Sequence, residues 1–260
     1  MKGEIEIIPA ARKQEILSMV TNAEYISAGN LADNLNISLS TVRRDLIELE
    51  EEGLIVRTRG GASTTKHNLA LDTGLNIRAV ERHEEKSRIA QKAAELVCDA
   101  GCIILDAGTT TLEVARNLYP RKVLRVITDS IEIAYELRNR ENVIVIMTGG
   151  LLKQGTCNLY DGLGEEFLKS MHAQICVMGA IGFSLKSGLT KHEIESLSLR
   201  KKMLEISIQI MCIADSSKFK ADGLVSVCPA DLVDVLITDT GISPGLKQSF
   251  EESGIKVIVV

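Results

Sequence analysis

Two short polar runs carry residue types and spacings that can do chemistry. The first is Asp106-Ala107-Gly108-Thr109-Thr110-Thr111, which follows the apolar run Cys102–Leu105 and opens a helical pattern running Leu112–Leu118. A glycine that lets a guest approach the backbone, followed by threonines in a first helical turn, offers unpaired N–H groups, the positive end of the helix dipole and three hydroxyls. That set suits an anion, and phosphate best. No second glycine followed by lysine is present and no GxGxxG, so a nucleotide loop of either common kind is unsupported. A tight turn made by the same residues for its own sake is the alternative. The second run is Ser40-Thr41-Val42-Arg43-Arg44-Asp45-Leu46, two adjacent arginines in a chain of net charge −5. Arginine bonds bidentately to guanine, whereas a helical ion pair from Arg44 to Glu48, four residues on, would make it an ordinary solvated face.

Both runs need elements to position them. Helical spacing occurs at Ile16, Leu17 and Val20, at Leu31, Ala32 and Leu35, and at Val42, Leu46 and Leu49, giving three short amphipathic helices. Ser27 and Ser38 stand where N-caps of the second and third belong. Asn36-Ile37-Ser38 alone separates those two, a turn that forces them to cross as in a helix-turn-helix and tucks Ile37 beneath. With Val42, Leu46 and Leu49 turned inward, Ser40, Thr41, Arg43 and Arg44 project from the half of the third helix that enters a major groove. Asp45, Glu48, Glu50, Glu51 and Glu52 sit toward its other end, outside the groove or paired with the arginines. Gly53 is a candidate left-handed C-cap. Leu54 to Gly61 then alternates and breaks on glycines as a wing, whose Arg57 and Arg59 suit DNA phosphates.

From Ala62 to about Arg82 periodicity is lost. The expected organisation is a DNA-binding domain over 1–62, a linker over 63–85 and a ligand-binding domain over 86–260. In the last, a helical pattern at Lys86–Asp99 is followed by apolar runs at Cys102–Leu105, Val123–Ile127, Val143–Met147, Ile175–Met178, Ile208–Ile213, Val233–Ile237 and Val257–Val260, mostly a helix length apart. Continuous rather than alternating apolar strands indicate a parallel sheet covered on both faces, an α/β doubly wound domain. Its first three strands end in Asp106–Thr111, Thr128-Asp129-Ser130 and Thr148-Gly149-Gly150, with starts 22 and 20 residues apart. Regular βα units bring such turns to one sheet edge, where open α/β sheets bind ligands. Lys218, in Ala214-Asp215-Ser216-Ser217-Lys218-Phe219 after another strand, adds a positive charge there, or is a solvated surface lysine.

The bulk numbers bound the reading. A chain of 260 residues with 45% hydrophobic content can bury a sizeable core. The N-terminus has neither a signal-like apolar run nor a membrane-length one, so a cytoplasmic protein with no membrane partner is expected. Six cysteines, at 98, 102, 157, 176, 212 and 228, form no CxxC and sit mostly in apolar runs, so they read as buried thiols, with no metal or other cofactor implied. Residues 1–66 carry eight Lys and Arg against ten Asp and Glu, so neither part of the chain is basic overall. One copy would hold DNA weakly, and two or more copies on repeated half-sites would supply the affinity. A homo-oligomer is expected.

Taken in order, Arg12 and Ile16, Ser40-Thr41-Val42-Arg43-Arg44-Asp45-Leu46, Gly53-Leu54 with Arg57 and Gly60-Gly61-Ala62, Arg78 eight residues before Lys86, Asp106-Ala107-Gly108-Thr109-Thr110, Gly149-Gly150 and Ala214-Asp215-Ser216-Ser217-Lys218 resemble the DeoR-type transcriptional regulators. The resemblance spans about Arg12 to Val257. It implies a winged helix-turn-helix joined to a sensor of the ribose-phosphate isomerase and CoA-transferase-like class. The function implied is repression of a carbohydrate-utilisation operon, binding double-stranded operator DNA and released by a phosphorylated sugar. DNA contacts would come from Ser38, Ser40, Thr41, Arg43, Arg44, Arg57 and Arg59. The ligand would be held by Asp106, Gly108, Thr109 and Thr110, with Thr128, Asp129, Gly149, Gly150 and Lys218 around it. Departures fall at Asp129, where the family has Asn, at Gln174, where it has Asp, at Arg200, where it has Lys, and at Arg59, where it has His; they bear on which ligand is bound. A phosphosugar isomerase or acyl transferase of similar fold is the alternative, with Asp106 or Asp129 as acid or base. No carboxylate pair at a telling spacing and no partnered nucleophile support it, and no catalytic residue is assigned.

Overall fold

The computed structural model describes residues 9–23, 25–51, 54–58, 60–64, 82–152 and 156–260. Arg59, Gly53, Lys66 and Arg78 lie outside them. The chain divides into two compact units, Met1–Ala70 and Leu71–Val260.

In the first unit α1 (Pro9–Ala23), β1 (Tyr25–Ser27), α2 (Ala28–Leu35), α3 (Leu39–Glu51), β2 (Ile55–Thr58) and β3 (Gly61–Thr64) follow in order. Ser27 caps α2 by accepting the Asn30 N–H at 3.0 Å, and Ser38 accepts the Thr41 N–H at 3.1 Å at the start of α3. Between them Asn36 takes the left-handed conformation, φ 52°, and turns its N–H back onto Ala32 and Asp33. Ile16, Val20, Leu31, Leu35, Val42, Leu46, Leu49 and Ile55 close into one core with Ile37 against it, each large side chain contributing roughly 1.5–3 kcal/mol by burial. The wing is the antiparallel pair β2–β3, and β3 also pairs with β1, a strand too short to leave an alternating pattern. That pairing is tight at Gly61, where a Cβ would sit 2.2 Å from the Ile26 carbonyl oxygen.

The second unit is built on a seven-stranded parallel sheet. Its strands are β4 (Cys102–Leu105), β5 (Leu124–Thr128), β6 (Val143–Met147), β9 (Ala173–Gly179), β12 (Ser207–Ile213), β14 (Val235–Thr238) and β15 (Lys256–Val259), in the order β15-β14-β12-β9-β4-β5-β6. Successive side chains feed opposite cores: Ile103 and Leu105 of β4 meet α4 (His83–Val97), α5 (Thr109–Arg116) and α6 (Ile131–Leu137), while Ile104 meets α7 (Gly162–Leu168), α8 (Leu197–Glu205) and α9 (Pro244–Glu252). Two covered faces are why the strands are continuously apolar. α4 starts at His83, three residues before the expected start, with Arg82 as a left-handed N-cap, φ 55°. A hairpin of β7 (Leu151–Leu152) and β8 (Leu159–Tyr160), and a small antiparallel sheet of β10 (Gly182–Ser184), β11 (Gly188–Lys191) and β13 (Val225–Cys228), lie outside the main sheet. No helix among the described residues is long and apolar enough to cross a membrane.

Candidate functional site

On the first unit, α3 presents Arg43 and Arg44 exposed, with Ser38 and Ser40 exposed beside them. The Ser38 hydroxyl lies 2.7 Å from that of Ser40 and 2.8 Å from that of Thr41, a hydroxyl cluster at the helix start. Arg43 and Arg57 line one recess with Gly29 and Gly60. Arg43 thus shares the wing's side, and Arg44 stands one residue further round the helix. Arg57 also ion-pairs with Glu50 at 3.5 Å, and its N–H donates to the same carboxylate at 3.0 Å.

Asp45 is where the sequence reading errs most in this unit. It lies off the groove-facing side but does not pair with the adjacent arginines; it is 1% exposed and takes Nε and Nη2 of Arg12 at 2.6 and 3.0 Å. Residues 42, 45, 46 and 49 form one inward stripe, and the bidentate pair ties α3 to α1. Glu48 is likewise taken, by Lys13 of α1 at 2.6 Å. Asp45 and Glu48 are thus both engaged by cations of α1.

In the second unit the cleft lies at the carboxyl ends of β4 and β9. Gly108, Thr109 and Thr110 form one wall, and Lys86, Thr156, Asn158, Lys191, Glu193, Arg200 and Lys218 complete it. It is shallow and open to solvent, with a cavity volume of about 50 Å³. Gly108 is extended (φ 166°), a conformation open to any residue, and a Cβ there would meet only the Thr111 hydroxyl at 3.2 Å. Thr111 is buried and donates to the Gly108 carbonyl at 2.9 Å, so two of the three expected hydroxyls remain for a guest. The β8 segment reaches the cleft because Leu159 N–H donates to the Asp129 carbonyl and Ile131 N–H to that of Cys157, both at 2.8 Å.

Behind the cleft stands a buried charge cluster. Asp106 is fully buried and accepts from Lys191 Nζ at 2.6 Å and Arg200 Nε at 3.0 Å; Arg200 Nη1 also reaches Glu193 at 3.3 Å. Asp106 was expected to hold the ligand directly; with both oxygens occupied, it instead aims two cations that do line the cleft. Burial pushes its carboxyl up, but the charges of Lys191 and Arg200 more than offset this and leave it below the usual carboxylate range. Asp129 goes the other way: burial first, then the Asp106 charge, push it up to about 7. Its Oδ1 accepts the Ala107 N–H at 3.0 Å, whereas Oδ2 is buried with no partner.

Three further expected ligand residues are also not on the cleft wall. Thr128 is buried, its hydroxyl taken by the Ser130 N–H at 3.1 Å. Gly149 and Gly150 have φ of 74° and 109°, and a Cβ on Gly150 would sit 2.4 Å from the Tyr160 carbonyl oxygen; that turn starts the β7–β8 hairpin. Gln174, thought to bear on ligand identity, begins β9 and accepts N–H groups of Gly101 and Cys102, where the strands start. Sequence reasoning missed Lys86, Asn158, Lys191 and Glu193, which come from three separate segments.

Asp129→Asn keeps the acceptor for Ala107 and removes the titration. A group whose folded value is raised binds its proton more tightly in the native state, so stability falls as pH rises from about 4 to about 7. The variant is expected to lose that decline and to exceed the parent at pH 8 by on the order of a few kcal/mol. Denaturant midpoints at pH 5 and pH 8 measure this; parallel pH profiles would refute the shift.

Residues 12–68 match the DeoR-like helix-turn-helix domain model, and residues 81–240 match the DeoR C terminal sensor domain. The HTH-type transcriptional regulator GolR of Listeria innocua is 34% identical over 96% of this chain and 98% of its own. The glycerol-3-phosphate regulon repressor of Escherichia coli K12 is 28% identical over 88% of this chain and 90% of its own. Among solved structures, ribose 5-phosphate isomerase A of Methanocaldococcus jannaschii aligns over 54% of this chain and 55% of its own at 19% identity, TM-score 0.41. With both of its units matched in order and a relative 34% identical over nearly its whole length, the chain belongs to the DeoR family of helix-turn-helix transcriptional regulators.

Proposed function

We propose that this regulator represses a carbohydrate-utilisation operon and releases its operator when a phosphorylated sugar occupies the sensor cleft. The observation that carries the reading is the convergence of Lys86, Lys191, Arg200 and Lys218 with the N-terminus of α5 on one cleft. A phosphate there would take N–H groups and hydroxyls of Thr109 and Thr110 with Lys218 as counter-charge, while Glu193, Asn158 and Lys191 suit sugar hydroxyls. The glycerol-3-phosphate repressor among its relatives supports a phosphorylated effector. On the DNA side, Arg44 reads base edges, Arg43, Arg57 and Arg59 neutralise phosphates, and Ser38, Ser40 and Thr41 fix the helix start. A homo-oligomer in the cytoplasm, with two heads on repeated half-sites, supplies the affinity that one weakly charged head lacks.

The test is a thermal-shift panel on the full chain with phosphorylated hexoses, pentoses and alditols, each beside its unphosphorylated parent and inorganic phosphate. A ligand at about 100 times its Kd stabilises by about 2.7 kcal/mol, roughly 5–10 °C for a domain of this size. A Thr109→Ala/Thr110→Ala chain is expected to lose most of that shift. No shift with any phosphosugar, or a shift that survives the double substitution, would overturn this placement of the effector.

A further inference from the structure

We infer that Arg82 is a positioning residue that passes occupancy of the cleft to the start of α4, the first described element of the sensor unit; this rests on the phosphosugar reading above. In sequence, residues 69–80 lie between the two domain matches, and Arg82, the second residue of the sensor match, is the first described residue of the second unit. Its backbone is left-handed, φ 55° and ψ 41°, and its side chain caps nothing. For a residue with a Cβ such a conformation is unfavourable unless its surroundings hold it.

Those surroundings are three carboxylates from three elements. Arg82 Nη2 meets Glu85 at 3.0 Å and Asp239 at 3.2 Å, while Nη1 meets Asp215 at 3.4 Å. The side chains of Asp215 and Asp239 are each 2% exposed. Asp215 caps the 3₁₀ turn Ser216–Phe219: its carboxylate accepts the Ser217 N–H at 3.1 Å and its carbonyl the Lys218 N–H at 3.0 Å. Asp239 holds the same turn from the other side, accepting the Ser216 N–H at 2.6 Å and the Ser216 hydroxyl at 2.9 Å.

The turn so clamped carries Lys218 to the cleft. On the other arm, the Arg82 carbonyl accepts the Lys86 N–H at 3.0 Å, and buried Lys86 lines the cleft one helical turn on. An anion that draws Lys218 and Lys86 together therefore acts on both attachments of Arg82. Glu85, Asp215 and Asp239 are the charged groups facing it. A guanidinium satisfies several carboxylates at once in a fixed fork, which an ammonium does not. Coupling between two sites requires an element with two arrangements that both sites bias, and a left-handed residue at the start of α4, ion-paired to the ligand-bearing turn and to Glu85, meets that description.

The experiment uses the full chain as parent, Arg82→Gln and Arg82→Lys. Operator duplex selected in vitro from random sequence is titrated with and without glycerol 3-phosphate, ribose 5-phosphate and fructose 6-phosphate, and the binding of each phosphosugar is measured separately by calorimetry. The parent is expected to lose about tenfold or more in operator affinity with the effective phosphosugar. Arg82→Gln should bind both ligands as the parent does while that ratio falls below about twofold, and Arg82→Lys should lie between. Arg82 as a mere staple predicts altered stability with the ratio intact, and a parental ratio in a folded Arg82→Gln or Arg82→Lys chain overturns the inference alone. Absence of phosphosugar binding to the parent overturns the cleft reading and this inference with it.

Discussion

Asp106→Asn is expected to destabilise the sensor unit by about 3–5 kcal/mol, the usual cost of removing one partner from a buried ion pair. The cost arises because the two cations left behind, Lys191 and Arg200, are 5% and 1% exposed. Against a total stability of roughly 5–15 kcal/mol that is a large share. Asp129 should moderate it. Its carboxyl is held up by burial and by the Asp106 charge, so removing that charge lets Asp129 ionise and face the stranded cations. The two substitutions are then strongly non-additive: Asp129→Asn alone is neutral or stabilising at pH 7, yet in the Asp106→Asn background it should cost an extra 1–2 kcal/mol or so, within the usual range for groups in one network. Denaturant unfolding of the four chains at pH 7 measures the cycle. Additive energies, or a loss under about 1 kcal/mol for the double variant, would show that the cluster does not depend on Asp106.

What was legible in the sequence follows from this chemistry. The strand Cys102–Leu105 is where its apolar run puts it, since a strand between two helical layers has no polar face to blur its ends; Val143–Met147 also matches its apolar run, although it is a half-exposed edge strand. Ser27 and Ser38 were readable as caps because the hydroxyl and the helix start lie within three residues of each other. Asp45 was not, because a charged residue on an inward stripe is sensible only with Arg12, 33 residues away. The cleft fell between. The Gly108-Thr109-Thr110 wall is one contiguous turn, but Lys191 and Arg200 become cleft residues only through their shared buried partner, and Thr128, Asp129 and Gly150 sit on the right turns with side chains or backbone committed elsewhere. Polarity at a strand end locates the edge of the sheet, and says little about which atoms are spoken for.

Arg44→Ala is expected to abolish selective operator binding while leaving the fold untouched. Arg44 is exposed and lies off the buried stripe of Val42, Asp45, Leu46 and Leu49, so truncation should change stability by no more than about 0.5 kcal/mol. Its charge is available because the acids beside it are engaged: Asp45 with Arg12, Glu48 with Lys13. A bidentate arginine–guanine contact discriminates by about 1–3 kcal/mol, and that loss is felt once for every head bound to the operator. Arg43→Ala should behave differently. Sharing a recess with Arg57 and Gly60, Arg43 is placed for a phosphate, so its loss should weaken cognate and scrambled duplexes alike and lower the salt slope by about one per head. Titrating both variants against cognate and scrambled duplex over a range of salt separates the roles. Equal losses on both duplexes for Arg44→Ala would move base reading to another residue. A selective loss for Arg43→Ala would move it one residue back along α3, into the recess with the wing.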